Sequence, residues 1–402
     1  MSYSYKMSRG SSMTSRYAPS RGGNRKSNAP KRRGQYIDPS RFVKTATIGT
    51  VEAYEPQHKF SDFALDAKLQ ANLAAKGFVT PSPIQDQTIP SALSGRDIIG
   101  IASTGTGKTA AFALPTLQKL MTEPTSAALI VAPTRELAQQ IETECKLLGR
   151  GSGLFATLLI GGTSMTNQLR DLQHKPRVII GTPGRIKDHL QRGTLSLKNV
   201  NVVILDEVDR MLDMGFINDV TDILSQASVE RQSMFFSATL DPKVRNLIHS
   251  FSKDPVVVSI AASTSSDNVH QDVVRFSGNT DRLEKLHDIL LKDNVSKVIL
   301  FDETQRSVER LSNELVARGF KADAIHGGKS QGQRQRALDK FKRNDIKILV
   351  ATDVAARGID VADITHVVNY TVPQSYDDYI HRIGRAGRAG QVGYALTFVS
   401  HS

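Results

Sequence analysis

One loop of small residues, Ala102-Ser-Thr-Gly-Thr-Gly-Lys108-Thr109, constrains this chain more than any other feature of its sequence. Consecutive backbone N–H groups in such a loop, followed by a helix N-terminus, make a cradle for phosphate. A helix-forming stretch over 109–120 follows, Lys108 can neutralise the outer phosphates, and Thr109 offers Mg²⁺ a hydroxyl. The usual pattern begins with Gly where this chain has Ala102, so the loop gains its weight from Asp206-Glu207-Val208-Asp209 further on. A phosphate loop and paired carboxylates at the end of an apolar run are the minimum equipment for hydrolysing a nucleoside triphosphate.

From about residue 51 the chain alternates short apolar runs with amphipathic stretches. Residues 127–132, 178–180, 202–205, 234–236 and 256–260 read as buried strands, with helical segments such as 136–148 and 219–225 between them. Continuous Val/Ile/Leu runs separated by helices predict a parallel sheet covered on both faces. The small, polar stretch 261–268 reads as a flexible linker. The alternation then restarts, with strands expected at 297–301, 322–325, 346–350, 366–369 and 395–399. The predicted architecture is α/β, with parallel-sheet domains at 51–260 and 269–402. Ligands in such sheets bind at the carboxyl ends of the strands.

The net charge of +12 is concentrated at one end. Residues 1–50 hold 11 Lys or Arg against Asp38 alone, whereas the other 352 residues hold 41 basic and 39 acidic side chains. This segment is rich in Ser, Gly, Arg and Tyr and has almost no aliphatic periodicity, so 1–50 is expected to be a disordered basic tail. Basic charge with interspersed Tyr3, Tyr5, Tyr17 and Tyr36 suits a sequence-tolerant nucleic-acid tether. A solubilising arm and an organelle transit peptide are the alternatives. No apolar run reaches the ~18 residues of a membrane span. The single Cys145 precludes an internal disulfide and fits a reducing compartment. The expected location is the cytoplasm, with an organelle the alternative if the N-terminus is a transit peptide.

Further motifs follow in a fixed order. Gly77-Phe-Val-Thr-Pro81-Ser-Pro-Ile-Gln85 has Phe60 seventeen residues upstream of Gly77. Pro133-Thr-Arg-Glu-Leu-Ala138, Gly161-Gly162, Thr182-Pro-Gly-Arg185 and Ser237-Ala-Thr239 come next. Ala351-Thr-Asp353, Ala356-Arg-Gly-Ile-Asp360 and His381-Arg-Ile-Gly-Arg-Ala-Gly-Arg388 complete the series. From Phe60 to Val399 the chain resembles the DEAD-box RNA helicases of superfamily 2, in particular the compact bacterial type. The resemblance implies two tandem RecA-like domains. The family's name-giving motif has Ala where this chain has Val208, a change that adds methyl groups and no functional group.

The resemblance assigns roles residue by residue. Gln85 would read the adenine edge, since an amide matches its donor and acceptor, with Phe60 covering the base. Thr104, Gly105, Thr106, Gly107, Lys108 and Thr109 would bind the nucleotide, and Asp360 would bond its ribose. Asp206 and Thr109 would hold Mg²⁺, while Glu207 would activate the attacking water. Arg385 and Arg388, three residues apart, would be arginine fingers reaching the γ-phosphate from the second domain. Ser237 and Thr239 would bond to Asp209 and, with His381, couple nucleotide state to closure. Thr134, Arg135, Gly162, Thr182 and Arg185 would line an RNA track on the first domain, and Gln331, Arg334 and Thr352 one on the second. Hydroxyls, backbone N–H groups and guanidinium forks contact phosphate and carry no base code, so binding should be largely sequence-independent.

The expected function is ATP- and Mg²⁺-dependent unwinding of RNA duplexes by a monomer with no membrane contact. An RNA chaperone or ATP-gated RNA clamp acting through the tail is the alternative, and a DNA-directed helicase a weaker third. The chain stops at Ser402, soon after its last apolar run, where relatives commonly continue.

Overall fold

The computed structural model describes residues 37–46, 54–103, 105–260, 268–356, 359, 361, 363–387 and 391–401. The first sheet contains β1 (Ile98–Ile101), β2 (Ala127–Val131), β3 (Ala156–Leu159), β4 (Val178–Gly181), β5 (Val200–Leu205), β6 (Gln232–Ser237) and β7 (Val256–Ser259). Its order is β3-β4-β2-β5-β6-β1-β7, and every pairing is parallel. Nine helices accompany it: α1 (Ala67–Ala75), α2 (Pro83–Leu93), α3 (Lys108–Thr122), α4 (Arg135–Leu148), α5 (Met165–Gln173), α6 (Pro183–Gln191), α7 (Val208–Asp213), α8 (Ile217–Gln226) and α9 (Pro242–Phe251) among the described residues.

The second sheet contains β8 (Val269–Phe276), β9 (Val298–Phe301), β10 (Ala322–Ile325), β11 (Ile348–Ala351), β12 (His366–Asn369) and β13 (Gly393–Ser400). Its order is β10-β11-β9-β12-β13-β8, again wholly parallel. Its helices are α10 (Gly278–Leu290), α11 (Gln305–Ala317), α12 (Gln331–Lys342), α13 (Asp353–Ala356) and α14 (Tyr376–Ile383).

Each sheet is buried on both faces because its inner strands are largely apolar. Alternate side chains then feed opposite cores. Ile130, Ile180, Ile204 and Phe236 pack with Phe112 on one face of the first sheet. Leu129, Val131, Ile179, Val203 and Phe235 pack with Val208 and Val244 on the other. In the second sheet Ile299, Leu349 and Val367 take one face, and Leu300, Val350 and Val368 the other. Among the described residues no helix is long and apolar enough to cross a membrane.

Residues 37–46 depart from the expected tail. Asp38 caps a 3-10 turn at Pro39–Phe42 by accepting hydrogen bonds from the Ser40 backbone N–H (2.9 Å) and hydroxyl (2.7 Å). Ile37 and Phe42 are buried in the core of the second sheet. Lys44 then pairs antiparallel with Gln271 on β8. These two apolar anchors are what the upstream sequence lacks, so the segment gains burial that offsets its ordering cost. Residues 1–36, and 261–267 of the expected linker, lie outside the described residues. Asn268 already belongs to the second domain, its carbonyl accepting from the Gly393 N–H at 2.9 Å.

Candidate active site

A cleft of about 460 Å³ opens at the carboxyl ends of β1 and β5. Its lining includes Gln85, Lys108, Thr109, Asp206 and Glu207 from the first domain and Arg385 from the second. Gly105 (φ +84°) and Gly107 (φ +91°) turn the loop through left-handed conformations that favour glycine. A Cβ on Gly107 would also collide with Gln85 Nε2. No side chain caps the start of α3, which leaves its first N–H groups for a ligand. Thr106 stiffens the loop: its hydroxyl donates to Ser103 O (2.9 Å), and its carbonyl accepts from the Ser82 hydroxyl (2.7 Å). Thr104 lies outside the described residues.

Lys108 is buried, donates to Ala102 O at 3.0 Å, and stands 4.0 Å from Asp206 Oδ1. Gln85 is buried too, its Oε1 accepting from the Ser82 N–H (2.9 Å) and its Nε2 donating to Gly107 O (3.0 Å). One amide hydrogen and one lone pair remain for a base edge, and the same side chain braces the phosphate loop. Phe60 corrects the sequence expectation. It is 3% exposed within the core, edge-to-face with Phe78 at 5.5 Å, and Phe78 is the ring that lines the cleft. The capped turn Phe60–Asp62 and its contact with Phe63 (5.8 Å) draw Phe60 inward.

The two carboxylates are buried and tuned apart. Burial pushes the Asp206 carboxyl up to about 6; Glu207 adds to the rise, and Lys108 opposes it. Burial also acts to raise Glu207, but Arg210, Lys108, Arg385 and His381 together hold it below its ordinary value. Arg210 Nη1 lies 3.0 Å from Glu207 Oε2, and Glu207 itself stands in the left-handed region (φ +54°). That strained backbone, at the N-cap of α7, turns the side chain directly after the strand end. Hard oxygen donors at Asp206 and Thr109 fit Mg²⁺, which takes one or two protein ligands and completes its shell with phosphate and water. Among the described residues no group of three or more His, Cys, Asp or Glu could hold a metal alone.

Asp209 ties this site to the end of β6. Its Oδ2 accepts from the backbone N–H groups of Ala238 and Thr239 (both 3.1 Å) and the Thr239 hydroxyl (3.3 Å). Ser237 acts the other way, its hydroxyl accepting from the Asp209 N–H at 3.3 Å. Val208 is fully buried in the core beneath, away from the cleft lining.

On the second domain, Arg385 is 3% exposed and donates to Ile359 O at 2.9 Å. Arg382 grips Asp353 with two bonds (2.5 and 2.7 Å), reaches Asn369 Oδ1 (3.1 Å) and Thr371 O (2.8 Å), and so fixes α14 to α13 and β12. His381 shares a small hollow with Arg382 and Arg385. Asp360 and Arg388 lie outside the described residues.

The residues expected to line an RNA track on the first domain stand after three neighbouring strands, β2, β3 and β4. Thr134 caps α4 by accepting from the Leu137 N–H (3.3 Å). The Arg135 guanidinium lies against Gly161 and Gly162, so close that a Cβ on Gly162 would collide with Nη1. Thr182 caps α6 without using its hydroxyl, and Arg185 keeps a buried Nη1 with no partner among the described residues. Gln331 and Arg334 do not join a track. Both are buried against the first domain: Arg334 Nη2 lies 2.7 Å from Glu136 Oε1, and Gln331 Nε2 donates to Gln139 Oε1 (3.0 Å) and Glu136 Oε1 (3.3 Å). Thr352 is 9% exposed and its carbonyl starts α13.

Phe78, Arg210, Glu136 and Arg382 were not singled out by sequence. The Glu207–Arg210 spacing of three was a usable signal, because such residues share a helix face. Glu136 had no local partner to betray it.

A family model described as DEAD/DEAH box helicase matches residues 82–247, and one described as Helicase conserved C-terminal domain matches 281–390. The ATP-dependent RNA helicase CshA of Limosilactobacillus reuteri is 42% identical over 344 residues, covering 85% of this chain and 69% of that protein. The DEAD-box ATP-dependent RNA helicase CshA of Bacillus subtilis is 43% identical over 345 residues, with the same coverage. This chain thus spans about two thirds of the length of these relatives. S. cerevisiae Dbp5 bound to RNA and ADP BeF3 superposes with a TM-score of 0.76 at 29% identity, covering 85% of this chain and 90% of that one. Mss116p bound to ssRNA and AMP-PNP superposes with a TM-score of 0.77 at 29% identity, covering 86% and 76%. The chain belongs to the DEAD-box family of ATP-dependent RNA helicases.

Proposed function

We propose that this chain unwinds short RNA duplexes by closing its two domains around ATP and one RNA strand, and that hydrolysis reopens them. The observation that carries this reading is a single cleft shared by Lys108, Asp206 and Glu207 of one domain and Arg385 of the other. Lys108 and the uncapped start of α3 hold the phosphates, and Gln85 selects adenine with the donor and acceptor it has left. Asp206 and Thr109 would hold Mg²⁺, which when bound would supply charge neutralisation on the phosphates. Glu207, kept ionised by the surrounding cations, orients the attacking water and takes its proton. Arg385 stabilises the charge that develops as the terminal phosphoryl departs, a contribution worth ~10³–10⁵ in rate for arginine fingers. Asp209 with Ser237 and Thr239 relays the state of the cleft to the end of β6.

The RNA strand is held by Arg135, Gly162, Thr182 and Arg185, so its backbone is recognised and its sequence is not. The partner is RNA, and the working unit is a monomer, since the cleft is completed within one chain. Steady-state ATP hydrolysis with and without single-stranded RNA, against matched DNA and GTP controls, tests the reading. Strong stimulation by RNA with ATP alone supports it. Equal stimulation by DNA, or no hydrolysis at all, overturns it.

A further inference from the structure

We propose that the segment 37–46 is a strap that positions Arg385 for catalysis, acting through α14; this rests on the role given to Arg385 above. The strap lies outside both regions that the family models match. It grips α14 on one side and β8 on the other. Phe42, fully buried, packs on the ring of Tyr379 with centroids 4.7 Å apart. The Arg41 guanidinium sits 3.8 Å over the ring of Tyr376, one turn earlier on the same helix. Lys44 exchanges both backbone hydrogen bonds with Gln271 (3.0 and 2.8 Å), and the Ala46 N–H donates to His270 Nδ1 (3.4 Å).

Gln271 closes the circuit. Its main chain pairs with the strap, and its side-chain Oε1 accepts from the Tyr379 hydroxyl at 2.9 Å. One strand residue therefore fixes the strap and the helix to each other. The helix runs on from Tyr379 through Arg382 to the turn that carries Arg385. That turn rests on β8 as well, since Val269 Cγ2 lies 2.8 Å from where a Cβ on Gly387 would stand. Without Phe42, Tyr379 faces a hole in the core between the helix and the strand, and the helix can settle toward it. Arg385 stands six residues beyond Tyr379, just past the end of the helix. Among the described residues the strap's contacts are with α14 and β8, so its contribution is geometric.

Phe42→Ala, made in the full chain, tests this. A misplacement of about 1 Å in a catalytic group can cost ~10²-fold, and for a helix held also by Arg382 we expect a fall of roughly tenfold in RNA-stimulated kcat. KM for ATP and the affinity for RNA in the absence of nucleotide should hold, because Gln85 and Lys108, assigned to ATP, and Arg135 and Arg185, assigned to RNA, lie on the first domain far in sequence from the strap. Phe42→Leu should recover most of the rate. In an Arg385→Ala background, Phe42→Ala should cost nothing further; multiplicative losses would show that the strap acts elsewhere and overturn the proposal. Hydrogen exchange supplies a readout free of activity. Phe42→Ala should raise exchange in 269–276 and 376–387 while leaving the first sheet unchanged, and unaltered exchange there would likewise overturn it. An inactive wild-type protein whose exchange still responds to Phe42→Ala would count against the enzymatic reading and not against docking of the strap.

Discussion

Arg334 of the second domain lies 2.7 Å from Glu136 of the first, with side chains 9% and 1% exposed. The pair joins α12 to α4 across the same cleft that holds the phosphate loop. Glu136 Oε2, Gln331 Oε1 and Arg334 Nε remain without partners among the described residues, so the cluster depends on its one ion pair and the two bonds from Gln331.

Arg334→Ala should therefore weaken closure more than folding. Stripping one partner from a buried ion pair costs ~3–5 kcal/mol, and its lower end corresponds to a fall on the order of 100-fold in kcat/KM for RNA. Each domain keeps its own core, so the thermal midpoint should barely move. Removing both charges in Glu136→Gln/Arg334→Ala should restore at least part of the loss. RNA affinity without nucleotide separates this role from direct RNA contact. A large drop there would mean that Arg334 binds the strand after all.

Asp206 gives a pH dependence with a definite sign. Its carboxyl is raised to about 6 against an ordinary value of 3.8, so the folded protein holds this proton more tightly than the unfolded chain. Stability is thus lost as pH rises from 3.8 through about 6, and the full penalty is present above that. Glu207 is shifted down and contributes in the opposite sense, being stabilising above its unfolded value and losing that as pH falls. Asp206→Asn isolates the first effect. Without nucleotide it should be more stable than wild type at neutral pH by on the order of 1–3 kcal/mol, with the gap closing toward pH 4. Thermal unfolding across this range checks it; a gap independent of pH would mean that the carboxylate is not the cause.

Three substitutions in the cleft should separate binding from turnover. Lys108→Ala should lose ATP affinity and RNA-stimulated hydrolysis together. Glu207→Gln should still bind ATP and RNA, since the amide oxygen can keep accepting from Arg210, yet kcat should fall by ~10²–10⁴, the range for a lost general base. Arg385→Ala should lower kcat by ~10³ or more with ATP affinity nearly kept. Loss of ATP binding in Glu207→Gln would remove that residue from the water-activating role.

The sheets were legible wherever the strands are largely apolar runs. The runs expected at 322–325 and 366–369 coincide with β10 and β12, and the helix expected at 136–148 differs from α4 by one residue. Three strands escaped notice for physical reasons. β1 is broken by Gly100, where a Cβ would lie 2.6 Å from the Phe236 ring. β3 carries Thr157, and β8 carries His270, Gln271 and Asp272 because it is an edge strand. The cleft residues of the loop and the strand end were legible because their chemistry is local. Gln331 and Arg334 were misplaced because their partner is 195 or more residues away in sequence, where no spacing rule reaches. Phe60 lies in the core and Phe78 lines the cleft for a similar reason, since which ring faces the cleft is decided by packing and not by position in a motif.

The basic tail and the strap adjoin each other in sequence but should separate by truncation. Residues 1–36 carry nine Lys or Arg and no acid, whereas 37–46 carry the anchors Ile37 and Phe42. Removing 1–36 takes away nine positive charges and leaves the strap in place. Maximal ATPase rate should hold, the RNA concentration for half-maximal stimulation should rise, and the salt dependence of binding should flatten by ~0.7 in log–log slope for each phosphate that is no longer neutralised. Removing 1–46 should add the kcat loss of Phe42→Ala to those effects, because the strap goes with the tail. Strand annealing without ATP decides whether the tail also works alone. If annealing vanishes in the shorter deletion while unwinding survives, the tail acts as a separate RNA chaperone; if both persist at saturating RNA, it is a tether that raises local concentration and nothing more.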